Sequence, residues 1–535
     1  MGTTEQITTL VDDVVRKIGN PMSDRVVLAT LESLGIRNKD VLHDYGAPDL
    51  KFLSLIVYAE IKKRDPKDLK NSAELEGLKK SDKLIPVSSY LWMKALLLVQ
   101  NYPLGLFHLA PVVLQVVTII LFGYSLWTYT GFNIVQSTAV VLGVILGFVV
   151  SGGYVQVLGR QASFYWHHGE MAKTKKVIDA LIVSGIKGML FAFLILGITN
   201  LVLNLYPFLF VVVSFTYAFL IGLLLLILAP FYTLRMRWVI SLAILIGSML
   251  ALGLKFYTDL HVYITHWIGI FFALLVAKLF LSHYFRKYRD AAKKSNRLPT
   301  AKLVVMYKNY GYFFYGILIY IFIFLDRILA WSTNGLSTRG FILLYEKNYE
   351  IGMDLAILVF FLLIGVLEYA ITSFSKLMDI KQKQVRFVDR GMFNVGFLKM
   401  YKEHIAILFV TAVLASVFLF VVINKPWGYE RSFGASLSAL NVKICIIGGV
   451  GYFFLAWGML NALYMFTLGQ HKIALRAILV ACAVNFSVGY ICSRVWSYEY
   501  SVIGMVTGAF VFMLLTTRGV VKFYKTLDYQ YYAAY

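Results

Sequence analysis

The sequence predicts an all-α polytopic membrane protein: twelve transmembrane helices in two six-helix lobes, with a small helical domain in front. Three observations predict it. Of 535 residues, 59% are hydrophobic and the mean hydropathy is positive, more apolar surface than a water-soluble fold can hide. Apolar runs of about twenty residues, each long enough to cross roughly 30 Å of hydrocarbon, recur from residue 106 onward. Lysines and arginines gather on alternate connections between those runs, the pattern of a chain threaded back and forth through a bilayer. The alternation expected of an outer-membrane barrel is absent.

Residues 1–85 form the first unit. Ile7, Leu10, Val11, Val14, Val15 and Ile18 fall on one helical face, and Gly-Asn-Pro at 19–21 stops that helix. Ser23 is placed to cap a second helix carrying Val27, Leu31 and Leu34. A third apolar segment, Phe52 to Ile61, is too short and too charged at its ends to span. The unit reads as a helical domain in the cytoplasm, either simply solvated or docking a partner enzyme. No basic n-region followed by a short apolar core opens the chain, so no cleaved signal peptide is expected.

Twelve spans follow, near 106–127, 134–158, 180–203, 207–232, 238–255, 261–281, 309–332, 352–375, 405–423, 440–467, 473–493 and 500–517. The first six form a lobe within 86–282. A basic loop, 283–308, separates it from a second lobe and basic tail within 309–535. An even number of spans in each half makes both halves enter from the same side, as in transporter folds built from two bundles. A second basic stretch, 376–402, reads as an interfacial helix against anionic headgroups, or as a docking segment.

The formal charge is +22, yet residues 1–101 hold 15 Lys and Arg against 14 Asp and Glu. The excess therefore lies in the membrane part and reports topology, with both termini cytoplasmic, rather than binding to nucleic acid. The expected surroundings are a lipid bilayer and no nucleic acid. Cys445, Cys482 and Cys492 all sit in apolar spans, without metal spacing or a disulfide framework.

Charged groups inside the hydrocarbon cost about 2.5–3.5 kcal/mol each at mid-depth, so each needs a reason. Asp326 and Arg327 lie in Phe-Ile-Phe-Leu-Asp-Arg-Ile-Leu-Ala-Trp, in the outer third of the seventh span. Neighbours on a helix point about 100° apart, so they cannot close on each other and each needs its own partner. Arg327 shares a face with Tyr320, and Asp326 shares one with Tyr315. Asp354 opens the next span at similar depth and is the expected partner of Arg327. Glu368 has no basic residue within a turn, so it is expected either protonated or facing a watery cavity. His108, Pro111 and Gln115 share a face of the first span; they line a cavity or pack between helices. Gly143, Gly147 and Ser151 form a small-residue ridge for close helix packing, and Asn461 and Asn485 are expected to bond across helices. Lys187, Lys278, Lys443 and Arg476 lie near span ends, where long side chains snorkel.

No Walker A loop, HExxH or nucleophile elbow is present, so an enzyme is the minority reading and no cofactor is expected. The expected first outer loop, near Tyr-Thr-Gly-Phe-Asn, has none of the acids an extracytoplasmic lipid-sugar transferase would use.

The stretch NYGYFFYGILIYIFIFLDRILAW (309–331) resembles a signature of the PelG-like, Pel-type exopolysaccharide exporters. These belong to the multidrug/oligosaccharidyl-lipid/polysaccharide (MOP) flippase superfamily, related to the MATE transporters. Asp326, Arg327 and Trp331 follow that family's acidic–basic–aromatic order. The segment 345–374, with Glu368, and the tail KFYKTLDYQYY (522–532) are similar to the same family, and 157–171 and 232–238 more loosely so. The likeness covers roughly residues 100–535; residues 1–85 depart from it.

The resemblance implies a MATE-like fold of two lobes around a cavity open alternately to each side, without ATP hydrolysis of its own. It implies export of a growing biofilm polysaccharide beside a cytoplasmic glycosyltransferase and other synthase subunits, in the inner membrane. The transport-cavity candidates are then Asp326, Arg327, Glu368, Asp354, His108, Gln115, Tyr315 and Tyr320. A lipid-linked oligosaccharide flippase of the same superfamily, a drug or cation antiporter, and a non-transporting scaffold for a polysaccharide synthase are the alternatives.

Overall fold

The computed structural model describes residues 2–19, 21, 23–63, 96, 98, 99, 102, 110–286, 288, 302–335, 341–384, 390–425 and 437–527. Four short helices form the N-terminal unit: α1 (Gly2–Ile18), α2 (Asp24–Ser33), α3 (Asn38–Tyr45) and α4 (Leu50–Lys63). Gly19 takes a φ of +70°, which ends α1 where the Gly-Asn-Pro signal places the stop. Ser23 stands at the α2 cap position, although its side chain makes no capping bond. Leu10, Val11 and Val14 of α1 meet Val27 and Leu31 of α2 and Leu53 and Val57 of α4 in a closed core. The third helix is only eight residues long; Val41 is buried in the core and Tyr45 packs against it, too few apolar positions to form a run in the sequence.

The membrane part begins with α5 (Ala110–Phe122), the described portion of the first expected span. It ends in a tight turn in which Gly123, at φ +63°, accepts a 2.9 Å bond from the Thr130 amide. Among the described residues, eleven helices long and apolar enough to cross a membrane follow. In the first lobe these are α6 (Ile134–His167), α7 (Met171–Leu203), α8 (Phe208–Thr233), α9 (Arg237–Tyr257) and α10 (Val262–Arg286). In the second they are α11 (Lys302–Gly335), α12 (Lys347–Gln384), α13 (Arg390–Asn424), α14 (Ala439–Thr467), α15 (His471–Val495) and α16 (Ser501–Lys525). Each lobe has its own core, so the twelve-helix, two-lobe reading of the sequence holds. The face where α6, α8, α10 and α12 end is called the basic face below, after its loops.

Several helices outrun their apolar stretches. The sequence ends the second span near 158, yet α6 continues to His167; α12 runs to Gln384, and α13 starts at Arg390 rather than 405. Hydropathy marks where hydrocarbon ends, whereas the backbone ladder continues while its residues tolerate a helix. This corrects the reading of 376–402. Its described residues are extensions of α12 and α13, with 385–389 outside the described residues, rather than a separate interfacial helix.

Small residues set the close contacts. The ridge of Gly143, Gly147 and Ser151 lies against α8, where a side chain on Gly143 would strike the Ser214 carbonyl. One turn further, Gly152 of α6 meets Gly316 of α11: a Cβ on either would lie 2.5 Å from the other's carbonyl oxygen. This is where the lobes come together. Asn485 donates to the Phe322 carbonyl at 3.2 Å, and Asn461 bonds Tyr401, Thr516 and Thr517, the cross-helix bonds the sequence suggests.

Alanine at Gly143 and at Gly159 should move stability in opposite directions. Gly143→Ala should destabilise the detergent-solubilised protein by about 1–3 kcal/mol through forced separation of α6 and α8. Gly159 has open space around it, so Gly159→Ala should raise the melting temperature, by up to about 1 kcal/mol of helix propensity. Thermal unfolding of the two purified variants checks both signs.

Candidate functional site: a shared guanidinium and an inter-lobe carboxylate

The charges of α11 are solved by α12. Arg327 Nη1 donates to Glu350 Oε2 and, at 2.8 Å, to Asp354 Oδ1. Glu350 and Asp354 are four residues apart and therefore on one face of α12, so one guanidinium reaches both. Trp331, four residues after Arg327, lies on the same face of α11, and its Nε1 donates to Glu350 Oε1 at 2.8 Å. The acidic–basic–aromatic order thus has a structural cause: Arg327 and Trp331 occupy the two oxygens of one buried carboxylate. Asp326 points elsewhere, as helix geometry requires, and accepts a 2.7 Å bond from the Tyr349 hydroxyl. Its Oδ1 has no hydrogen-bond partner among the described residues, although Asp326 is fully buried.

Burial divides this cluster. Arg327 and Glu350 side chains are 6% and 2% exposed, while Asp354 is 64% exposed. The inner part is fixed in place, and Asp354 presents its carboxylate to an open space. Two carboxylates share one guanidinium, so the cluster carries excess negative charge that attracts protons or cations. Among the described residues no group of three or more His, Cys, Asp or Glu is arranged to hold a metal ion.

Glu368 is neither unpaired nor part of that cluster, which corrects the sequence reading. It forms an ion pair with Arg237, the first residue of α9 in the opposite lobe. The partner is 131 residues away, so no inspection of neighbouring turns reveals it. Glu368 lies fourteen residues after Asp354, within about 40° of the same helical face at 100° per residue and roughly 21 Å further along α12. Of the two carboxylates, Glu368 is tied to the first lobe, whereas Asp354 is paired with Arg327 inside the second.

The remaining candidates separate. Gln115 is buried in the first lobe, donating to Ser248 Oγ at 2.8 Å and accepting from the Leu126 amide at 2.7 Å, a packed contact with both ends used. Tyr315 is buried within the second lobe, edge-on to Phe466 at 4.9 Å. Tyr320 lies at the seam, 5.2 Å from the Phe148 ring of α6. His108 falls outside the described residues. Sequence reasoning missed Glu350, Tyr349 and Arg237. The i, i+4 spacing of Glu350 and Asp354 was the one available signal.

Other ties cross the seam. On the basic face, Arg160 of α6 donates to the Phe466 carbonyl at 3.3 Å and stacks on Tyr312 at 4.2 Å. On the opposite face, residues 341–346 reach from the second lobe onto the first: Leu343 N donates to Tyr206 Oη at 3.1 Å and Tyr345 N to Thr138 Oγ1 at 2.9 Å. Phe341 packs edge-on against Tyr206 and Phe210.

The two-lobe helical fold has counterparts among solved structures. A multidrug resistance MATE family transporter of the MOP superfamily, solved in an outward-facing conformation, matches with a TM-score of 0.51 and 15% identity over 81% of this chain and 96% of its own. The chain has the fold of the MATE and MOP transporters. A single-residue variant of the Vibrio cholerae MATE transporter VcmN matches at 0.56 and 12% identity, covering 82% of this chain and 99% of its own. A MOP superfamily transporter from Pyrococcus furiosus, described as having a binding pocket of reversed polarity, matches at 0.50 and 13%, covering 81% and 96%. No protein-family model matches this MATE-like chain, and no curated protein matches it by sequence.

Removing the guanidinium should be costly because it strands Glu350 in the interior. Arg327→Gln should destabilise the protein by about 3–5 kcal/mol, and adding Glu350→Gln should recover much of the loss. Thermal melts of the two single variants and the double variant measure the coupling.

Proposed function

We propose that the protein is an inner-membrane transporter that exports a growing exopolysaccharide of the Pel type, with both termini in the cytoplasm. It works beside a cytoplasmic glycosyltransferase and other synthase subunits. The observation that carries the reading is the pair of carboxylates on α12, Glu368 tied to the first lobe and Asp354 exposed beside Arg327, in a MATE-like two-lobe fold. Carboxylates are strong acceptors for sugar hydroxyls, and Tyr320 and Phe148 offer ring faces at the seam for sugar rings. The Pel-type substrate is supported by the likeness of 309–331, where Asp326, Arg327 and Trp331 stand in the exporters' order. Polymer synthesis pushes the chain outward, and cations or protons drawn to the acidic cluster add a second driving force.

A lipid-linked oligosaccharide flippase is the second reading, favoured by Arg160 and Arg237, which place guanidinium groups at the seam near the basic face. The two readings separate in vesicles. With its glycosyltransferase and nucleotide sugar, the exporter should deliver polymer across the vesicle membrane. Without them it should move no lipid-pyrophosphate sugar; transfer of that lipid by the purified chain alone would sink the exporter reading. Asp354→Asn should lower exported polymer severalfold at unchanged protein level, scored by lectin binding outside the cell. Deleting residues 1–63 should leave the translocation path intact, whereas a scaffold would lose all output.

A further inference from the structure

We propose that Arg237 and Glu368 form a breakable inter-lobe latch that holds the basic-face end of the seam shut, and that the lobes part at that face only when this pair separates. The inference rests on the transporter reading for its purpose, but on geometry for its existence.

The pair bridges two helices that have no other business with each other. The first-lobe helix α9 and second-lobe helix α12 are not packed against one another along their length; the lobes meet instead along α6 and α11. Arg237 and Glu368 therefore work as a strut across a gap rather than as one contact within a packed interface. Their position is set by the chain. Arg237 is the first residue of α9, immediately after the turn that leaves α8 on the basic face. That turn contains Arg235 in the left-handed region at φ +57°, an unfavourable backbone for a residue with a side chain. The strain is held where it aims the start of α9.

Tyr102, which precedes α5 in the chain, lies against α12 beside the strut. Tyr102 donates its hydroxyl to the Leu362 carbonyl at 3.2 Å, and its ring fills the notch left by Gly365, where a Cβ would lie 2.8 Å from it. Gly365 is three residues before Glu368, on the same side of the helix. Arg160, on α6, ties to Phe466 and Tyr312 of the second lobe at the same face. The basic face is thus closed by two first-lobe guanidinium groups, Arg160 and Arg237, that reach to the second lobe.

The strength of the pair suits a latch. Its side chains are 18% and 31% exposed, so water reaches both and can rehydrate them when they part. The Arg327–Glu350 pair has no such access and is a permanent fixture. A part-exposed ion pair contributes modestly, so losing it shifts an equilibrium between arrangements rather than unfolding the chain.

Spin–spin distances in the full chain test this without any polymer. Ser282 of α10 and Ser375 of α12 are exposed near the basic face, and serine-to-cysteine changes there are nearly isosteric. With Cys445, Cys482 and Cys492 replaced by alanine, labels at the two positions report the separation of the lobes. Arg237→Gln and Glu368→Gln should each raise the long-distance population several-fold, and the exchange Arg237→Glu with Glu368→Arg should return it toward the parent. Gel filtration identifies any variant that fails to fold, in which case the exchanged pair and Arg237→Lys carry the measurement. Unchanged distances in folded single variants would overturn the latch, whatever happens to export. Changed distances with normal polymer export would support the latch and count against the transporter reading instead.

Discussion

Gly152 and Gly316 let two helix backbones approach until each carbonyl nearly touches the other's Cα, and everything that crosses between the lobes is placed by that contact. In hydrocarbon, burying apolar side chains against one another gains little, because lipid is equally apolar; close backbone approach and hydrogen bonds hold helices together. Fixing α6 against α11 fixes the depth of Arg160, Tyr312 and Tyr320 along the seam. It also orients α11 so that Asp326 and Arg327 turn into the second lobe, where α12 supplies their partners. The polar chemistry is hung on a joint whose closest point is two glycines.

The same low-polarity medium explains how the charges are arranged. Arg327 serves Glu350 and Asp354 together, and Trp331 completes Glu350, so that buried carboxylate is satisfied on both oxygens. Glu368 takes its ion-pair partner from the other lobe, Arg237. One charged network is internal to a lobe and stiffens it. The other crosses between lobes and joins bodies able to move relative to each other.

What the sequence revealed follows the range of the interaction involved. Span number, lobe division and the small-residue ridge were legible because hydropathy and spacing are local properties. The pairing of Arg327 with Asp354 was legible too, since adjacent spans run antiparallel and depth can be counted along each. Glu350 was overlooked although it lies one turn from Asp354, because proximity to the span end made it look like a surface residue. The Glu368 partner was out of reach, as nothing local marks α9 as a neighbour of α12. Helix α3 was missed for the reverse reason: it is local, but eight residues with few apolar positions make no recognisable run.

The strap of residues 341–346 acquires a meaning when its ties are compared with those of the basic face. Leu343 and Tyr345 hold the first lobe through backbone amides given to neutral hydroxyls, and Phe341 through ring contacts. Arg160 and Arg237 do the corresponding work with full charges, reachable by water at the Arg237 pair. Mobile ions screen charges over about 8 Å at physiological ionic strength and leave neutral hydrogen bonds almost untouched. The two faces of the molecule therefore answer salt unequally, and the ionic strength on one side of the membrane becomes a variable in the balance between them.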